Sequence, residues 1–285
     1  MNISRARQLQ ITGPDKKTCY GGDQRWFSSN TRAMGGCGSV AGANALRSLA
    51  RCNEAFRRQI KGSAVIPAPI KDALCEEHPG HEDFSLLMTG VYETMRSLEV
   101  FPLNHIYDRS DRSSKIFTRI KSTFGLPNTG FIIGIIRFAR KLSLDITVRS
   151  CSAAFLSKEE AEKFIEEGLQ SSGSVVLLTC RNRHNARLYD PGSDLDKKLI
   201  DGHDSQIKSH FTTITDIDKD RLLNTTWGRP GIVDLNELTG SWQSIRAYEA
   251  SLMYIIPSTR KEATSCMLGS WKLFMAGIGH SIIRH

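Results

Sequence analysis

The hydrophobic period of this chain changes once, near Leu144, and that change limits the folds open to it. Before it, apolar residues recur at helical spacing; after it, they alternate or run in short blocks of strand length. "SVAGANALRSLARCNEAFRRQI" (39–60) predicts a helix capped by Ser39, with Val40, Ala43, Leu46 or Arg47, and Ala50 on successive turns. Arg47, Arg51, Arg57 and Arg58 are expected on its outer surface. "EDFSLLMTGVYETMRSLEVF" (82–101) carries a core stripe of Phe84, Leu87, Met88, Val91, Tyr92, Met95 and Leu98. "TGFIIGIIRFARKLS" (129–143) is a strongly apolar helix with Arg137, Arg140 and Lys141 on its polar edge.

Beyond Leu144, "LDITVRS" alternates as a strand and "SVVLLTC" reads as a buried strand. Between them, "SKEEAEKFIEEGLQS" is a helix whose cap Ser157 is followed three residues later by Glu160. After a polar loop at 181–208 come "HFTTITDID", "RLLNTTWG" and "SLMYIIP", successive strands of an antiparallel sheet. The expected class is α+β, a helical N-terminal half packed on an antiparallel β-sheet C-terminal half. With 285 residues the chain divides into an extension at 1–19, one two-lobed body at 20–258, and an apolar and basic tail helix at 259–285.

Hydrophobic residues at 40% and charged residues at 24% exclude disorder along most of the chain. A net charge of +8 permits binding to nucleic acid or an anionic membrane, but charge alone speaks to solubility and non-specific association. Residues 104–149 hold nine Lys or Arg against Asp108, Asp111 and Asp145, which reads as a solvated basic face; no nucleic-acid partner is expected. The tail, docked as a helix on the body, also has the composition for a membrane-surface or partner contact.

The seven cysteines, at 19, 37, 52, 75, 151, 180 and 266, form no CxxC pair and no zinc-ligand spacing, a pattern of a reducing cytoplasm. The first 18 residues lack the apolar core of a secretory signal, and no stretch approaches the roughly 20 apolar residues of a membrane span.

Cys37 differs from the other cysteines in its setting. It lies among Gly35, Gly36 and Gly38 just ahead of the predicted helix start, where unpaired N–H groups and the helix dipole favour thiolate. The glycines let a carbonyl approach the backbone, and the Cys37 N–H can donate to an oxyanion. Among eight histidines, His78, His81, His105, His280 and His285 have ordinary settings. His184 and His203 sit near Asp190, Asp201 and Asp204 without regular ligand spacing, so neither a metal nor another cofactor is expected. His210 ends the polar loop and opens an alternating strand, a position where a side chain is fixed yet faces a cleft.

"GDQRWF…GGCGSVAGANAL" followed by "HFTTITDID…LLNTTWG" resembles the papain-like cysteine peptidase superfamily, nearest its bacterial branch of peptidases that trim double-glycine leaders. The resemblance implies a papain-like fold over 20–258, with Cys37 as nucleophile, His210 as general base and then acid, and Gln24 as oxyanion donor. The aromatic residue that follows the nucleophile in cathepsins is replaced by Gly38-Ser39. The residue orienting the histidine stays open. The family's Asn stands two before Trp, whereas here Thr225 holds that place and Asn224 precedes it. Asn224 through a bulge, Thr225, Thr226, a backbone carbonyl, or a plain Cys-His dyad are the options, and Trp227 is placed to shield the bond from water. The implied activity is hydrolysis of peptide bonds in a peptide or protein substrate. The same pair also serves acyl or amide transfer, and a catalytically silent papain-like binding domain is the reading from another class.

Overall fold

The alternation after Leu144 is realised as one antiparallel sheet. The computed structural model describes residues 3–28, 36–96, 128–153, 156–179, 186–191, 210–239 and 250–270. The sheet is built from β3 (Ile146–Ser152), β4 (Val175–Thr179), β5 (His210–Asp218), β6 (Arg221–Thr226), β7 (Arg229–Asp234) and β8 (Ala250–Pro257), in the order β3-β8-β4-β5-β6-β7. A short hairpin of β1 (Gln10–Thr12) and β2 (Thr18–Tyr20) stands apart from it. The chain is therefore mixed α and β, with seven helices among the described residues.

β5 has the bounds that its alternation predicts, and β8 differs from its expected bounds by one residue, because period 2 is set by the strand's own sequence. β7 is not foreseen: its sequence, "RPGIVD", carries Pro230 and Gly231, residues that weaken a strand. Its place in the sheet explains it. β7 is an edge strand, where a residue without an N–H is tolerated. The described part of the long loop, 186–191, clips onto that edge through paired backbone bonds between Tyr189 and Ile232 at 2.8 and 2.9 Å. Glu237 fixes the clip, accepting from the Tyr189 hydroxyl and the Arg187 N–H.

Both faces of the sheet are covered. On β4, Val176 and Leu178 join the core shared with α1 (Cys37–Cys52), α4 (His81–Arg96) and α5 (Asn128–Lys141). Val175 and Leu177 join the second core, under α6 (Lys158–Ser172). The continuous apolar run of "SVVLLTC" thus reflects burial on two sides. α6 starts on the capping box of Ser157 and Glu160. Of the stripe on α4, Phe84, Leu87, Met88, Val91 and Met95 are buried; Leu98 lies outside the described residues.

Three expectations in the N-terminal half are corrected. The helix of 39–60 is two helices, because Asn53 takes an extended conformation and its side chain caps α2 (Glu54–Gly62), accepting from the Phe56 N–H at 2.9 Å. Ser39 is not the N-cap. Gly36 is, α1 begins at Cys37, and the Ser39 hydroxyl donates back to the Gly36 carbonyl at 2.7 Å. Arg47 is not on the surface. It is completely buried, and its guanidinium donates to the carbonyls of Gln10, Ala73 and Glu77. These link β1 to the C-terminal end of α3 (Ala68–Cys75). α1 is buried around most of its circumference by small residues, which leaves no solvent face at position 47.

Residues 1–19, expected as an extension, are packed into the body over their described part: Ala6, Leu9 and Ile11 are buried. At the other end, residues 260–270 form α7, docked through buried Ala263, half-buried Cys266 against the Val148 carbonyl, and Thr264 bonded to Arg140. The remainder of the tail lies outside the described residues. Among those described, no helix is long and apolar enough to cross a membrane.

Candidate active site

The site is assembled where three chain segments meet. The first is the helix start. Cys37 is the first residue of α1 and half-buried, with Val40, Ala41 and Asn44 following on the same helix face. The second is the start of β5, where His210 pairs with Thr179 of β4 and Phe211 stacks on Phe131 of α5 at a ring separation of 5.3 Å. The third is a turn of 3-10 helix, Gln24–Trp26, capped by Asp23, whose buried carboxylate accepts from the Arg25 N–H and grips the Arg25 guanidinium.

These segments border one small, partly open cavity, lined by Gln24, Cys37, Asn44, His210, Thr213, Thr225, Thr226 and Trp227 among others. Cys37, His210 and Gln24 therefore share it. Asn224 does not line it. Thr213 faces α1, as its bond from Asn44 shows, and Thr225, its partner across the β5–β6 ladder, faces the same way. Asn224 lies opposite Ile214, four residues along β5 from His210. Its amide is spent there, accepting from the Thr212 hydroxyl at 2.8 Å and donating to the Leu222 carbonyl at 3.0 Å.

The group that meets the imidazole is Thr226, whose Oγ1 lies 2.7 Å from His210 Nε2. The next residue, Trp227, covers the ring, with centroids 4.7 Å apart and planes inclined by 23°. Trp227 and Gly228 form the two-residue link between β6 and β7, with φ of 50° and 73°. Two positive φ values are what a type I′ turn requires and what suits the strand twist. Glycine adopts that conformation freely, but a bulky side chain there is strained.

Burial dominates the electrostatics. It holds His210 down from its ordinary 6.5 to about 4. It also pushes the Cys37 thiol up, more than the N–H groups of Phe211, Gly38 and Cys37 lower it. The depressed thiol expected from the helix start is thus reversed by desolvation, and the pair rests as thiol and neutral imidazole.

His81 opens α4 with its ring edge-on to Trp26 at 6.1 Å. His105, His184, His203, His280 and His285 lie outside the described residues, as do Asp201 and Asp204. No group of three or more His, Cys, Asp or Glu is arranged to hold a metal among the described residues. Asn44 was not among the residues that the sequence singles out. Its signal was a polar side chain seven residues after Cys37, on the face of a helix otherwise made of small and apolar residues.

No known protein-family profile matches the chain, and no curated protein is significantly similar to it in sequence.

Proposed function

We propose that this chain is a cysteine peptidase of papain-like architecture that hydrolyses peptide bonds through Cys37 and His210. One observation carries the reading: Cys37, His210 and Gln24, from three separate segments, line a single cavity. The helix start before a covering sheet and the His at the head of a strand that precedes a Trp-Gly turn are in keeping with it.

Thr226 accepting from Nε2–H leaves the lone pair on Nδ1 to take the Cys37 proton. The resting pair is neutral, so the proton moves as the sulfur attacks the substrate carbonyl. The Cys37 N–H and the Gln24 amide stabilise the oxyanion of the tetrahedral intermediate. His210 returns the proton to the departing amine, leaving a thioester at Cys37. Water, deprotonated by His210, then attacks the thioester and releases the acid and the free thiol.

The test is digestion of a mixture of unstructured peptides by the full chain, with products read by mass spectrometry. Cleavage lost in both Cys37→Ala and His210→Ala supports peptidase action. Products appearing only with an added amine point to transfer instead, and indifference to both substitutions overturns catalysis by this pair.

A further inference from the structure

Asn44 is 1% exposed and lies two helical turns beyond Cys37. Its Oδ1 accepts from the Gly22 N–H at 3.0 Å, and its Nδ2 donates to Thr213 Oγ1 at 3.3 Å. Gly22 stands two residues before Gln24, and Thr213 three residues after His210. One side chain on the Cys37 helix is therefore bonded to the segments that carry the other two groups. The link is closed further round: the Gly22 carbonyl accepts from the Gly228 N–H at 3.2 Å, next to the Trp227 that covers His210. Space at this junction is already used. Gly21 has φ +83°, and a Cβ there would stand 2.7 Å from Asn44 Nδ2. The turn can approach the amide because position 21 is glycine.

We propose that Asn44 is a positioning residue that fixes the relative placement of Cys37, His210 and Gln24, an inference resting on the Cys37–His210 reading above. It touches no reacting atom in that mechanism. A primary amide suits the task because it offers an acceptor to one segment and a donor to another from a single planar group. Reactive groups displaced by even an ångström lose much of their rate, so such a clamp acts on chemistry as well as on folding.

The test uses iodoacetamide on the full chain at pH 7, with each cysteine's alkylation rate read by mass spectrometry and folding checked by near-UV circular dichroism. Asn44→Ala is expected to slow Cys37 roughly 10- to 100-fold, while exposed Cys52 reacts as before. Thr213→Val, which removes one arm and keeps the shape, is expected to slow Cys37 less, and Thr213→Ser to restore most of the rate. Where Asn44→Ala does not fold, Thr213→Val against Thr213→Ser decides. Folded variants with the wild-type Cys37 rate overturn the inference. His210→Gln separates the two levels. If it slows Cys37 while Thr213→Val does not, the pair stands and the role of Asn44 falls. If His210→Gln leaves the rate unchanged, the underlying pair falls as well.

Discussion

The His210 ring is held between a hydroxyl and an indole: Thr226 Oγ1 lies 2.7 Å from its Nε2, and Trp227 stacks on its face. These are consecutive residues, so the end of β6 and the turn after it orient and cover the ring together.

Thr226→Val keeps the shape and removes the hydroxyl, leaving His210 Nε2 buried without that partner. A lost buried bond of about 1–3 kcal/mol corresponds to roughly a 10- to 100-fold slower alkylation of Cys37 by iodoacetamide. Thr226→Ser should fall within a few-fold of wild type. A valine variant as fast as the serine variant would remove Thr226 from the site.

Trp227→Asn separates backbone from ring. Asparagine tolerates the left-handed region, so the turn should gain about 1 kcal/mol of backbone relief, offsetting part of the lost packing. Calorimetry should show a small change in Tm, whereas Cys37 alkylation should drop because water reaches the Thr226–His210 bond. A variant with both quantities unchanged would make the stack incidental.

His210 sets a stability trend with pH. Its folded value, about 4, lies below the 6.5 of an exposed imidazole, so between those values the unfolded chain binds a proton that the folded chain does not. Stability from this group is complete above pH 6.5 and is lost as pH falls toward 4, by up to roughly 3 kcal/mol. Urea unfolding of wild type and His210→Gln at pH 7.5 and 4.5 reads the difference. The variant should have the flatter dependence, and parallel curves would mean that the ring is solvated.

Arg47→Met tests the buried guanidinium. The substitution fills similar space but strands the carbonyls of Gln10, Ala73 and Glu77, so a loss of about 3 kcal/mol or more is expected in guanidinium chloride unfolding. Arg47→Lys should recover only part, because an ammonium cannot span the fork of acceptors. Wild-type stability in Arg47→Met would show that water satisfies those carbonyls.

What the sequence disclosed follows the range of the forces involved. The bounds of β5 and the Ser157 cap of α6 come from neighbours within four residues, and both are legible in the letters. Arg47 depends on what packs around α1, which no helical period contains. Pro230 disguises a strand that is permitted only by its edge position. Asn224 and Thr226 share a face of β6, and the choice between them is one of register: Asn224 pairs with Ile214, four residues beyond His210, whereas Thr226 stands at the His210 end of the β5–β6 ladder. Spacing to Trp227 narrowed the candidates, but the register of each one is fixed by pairing with another strand.

The bond between Gly228 and Gly22 also has a consequence in time. During synthesis, Gln24 and Cys37 leave the ribosome long before β5 and β6 exist, so the nascent N-terminal half has neither the strand that Asn44 grips nor the turn that Gly22 accepts from. The cavity forms only when contacts separated by well over a hundred residues close, which is the slow class of folding event. The cavity beside Cys37 is therefore incomplete until β6 and the turn after it are made, and a chain cut short before residue 227 lacks the indole that covers His210.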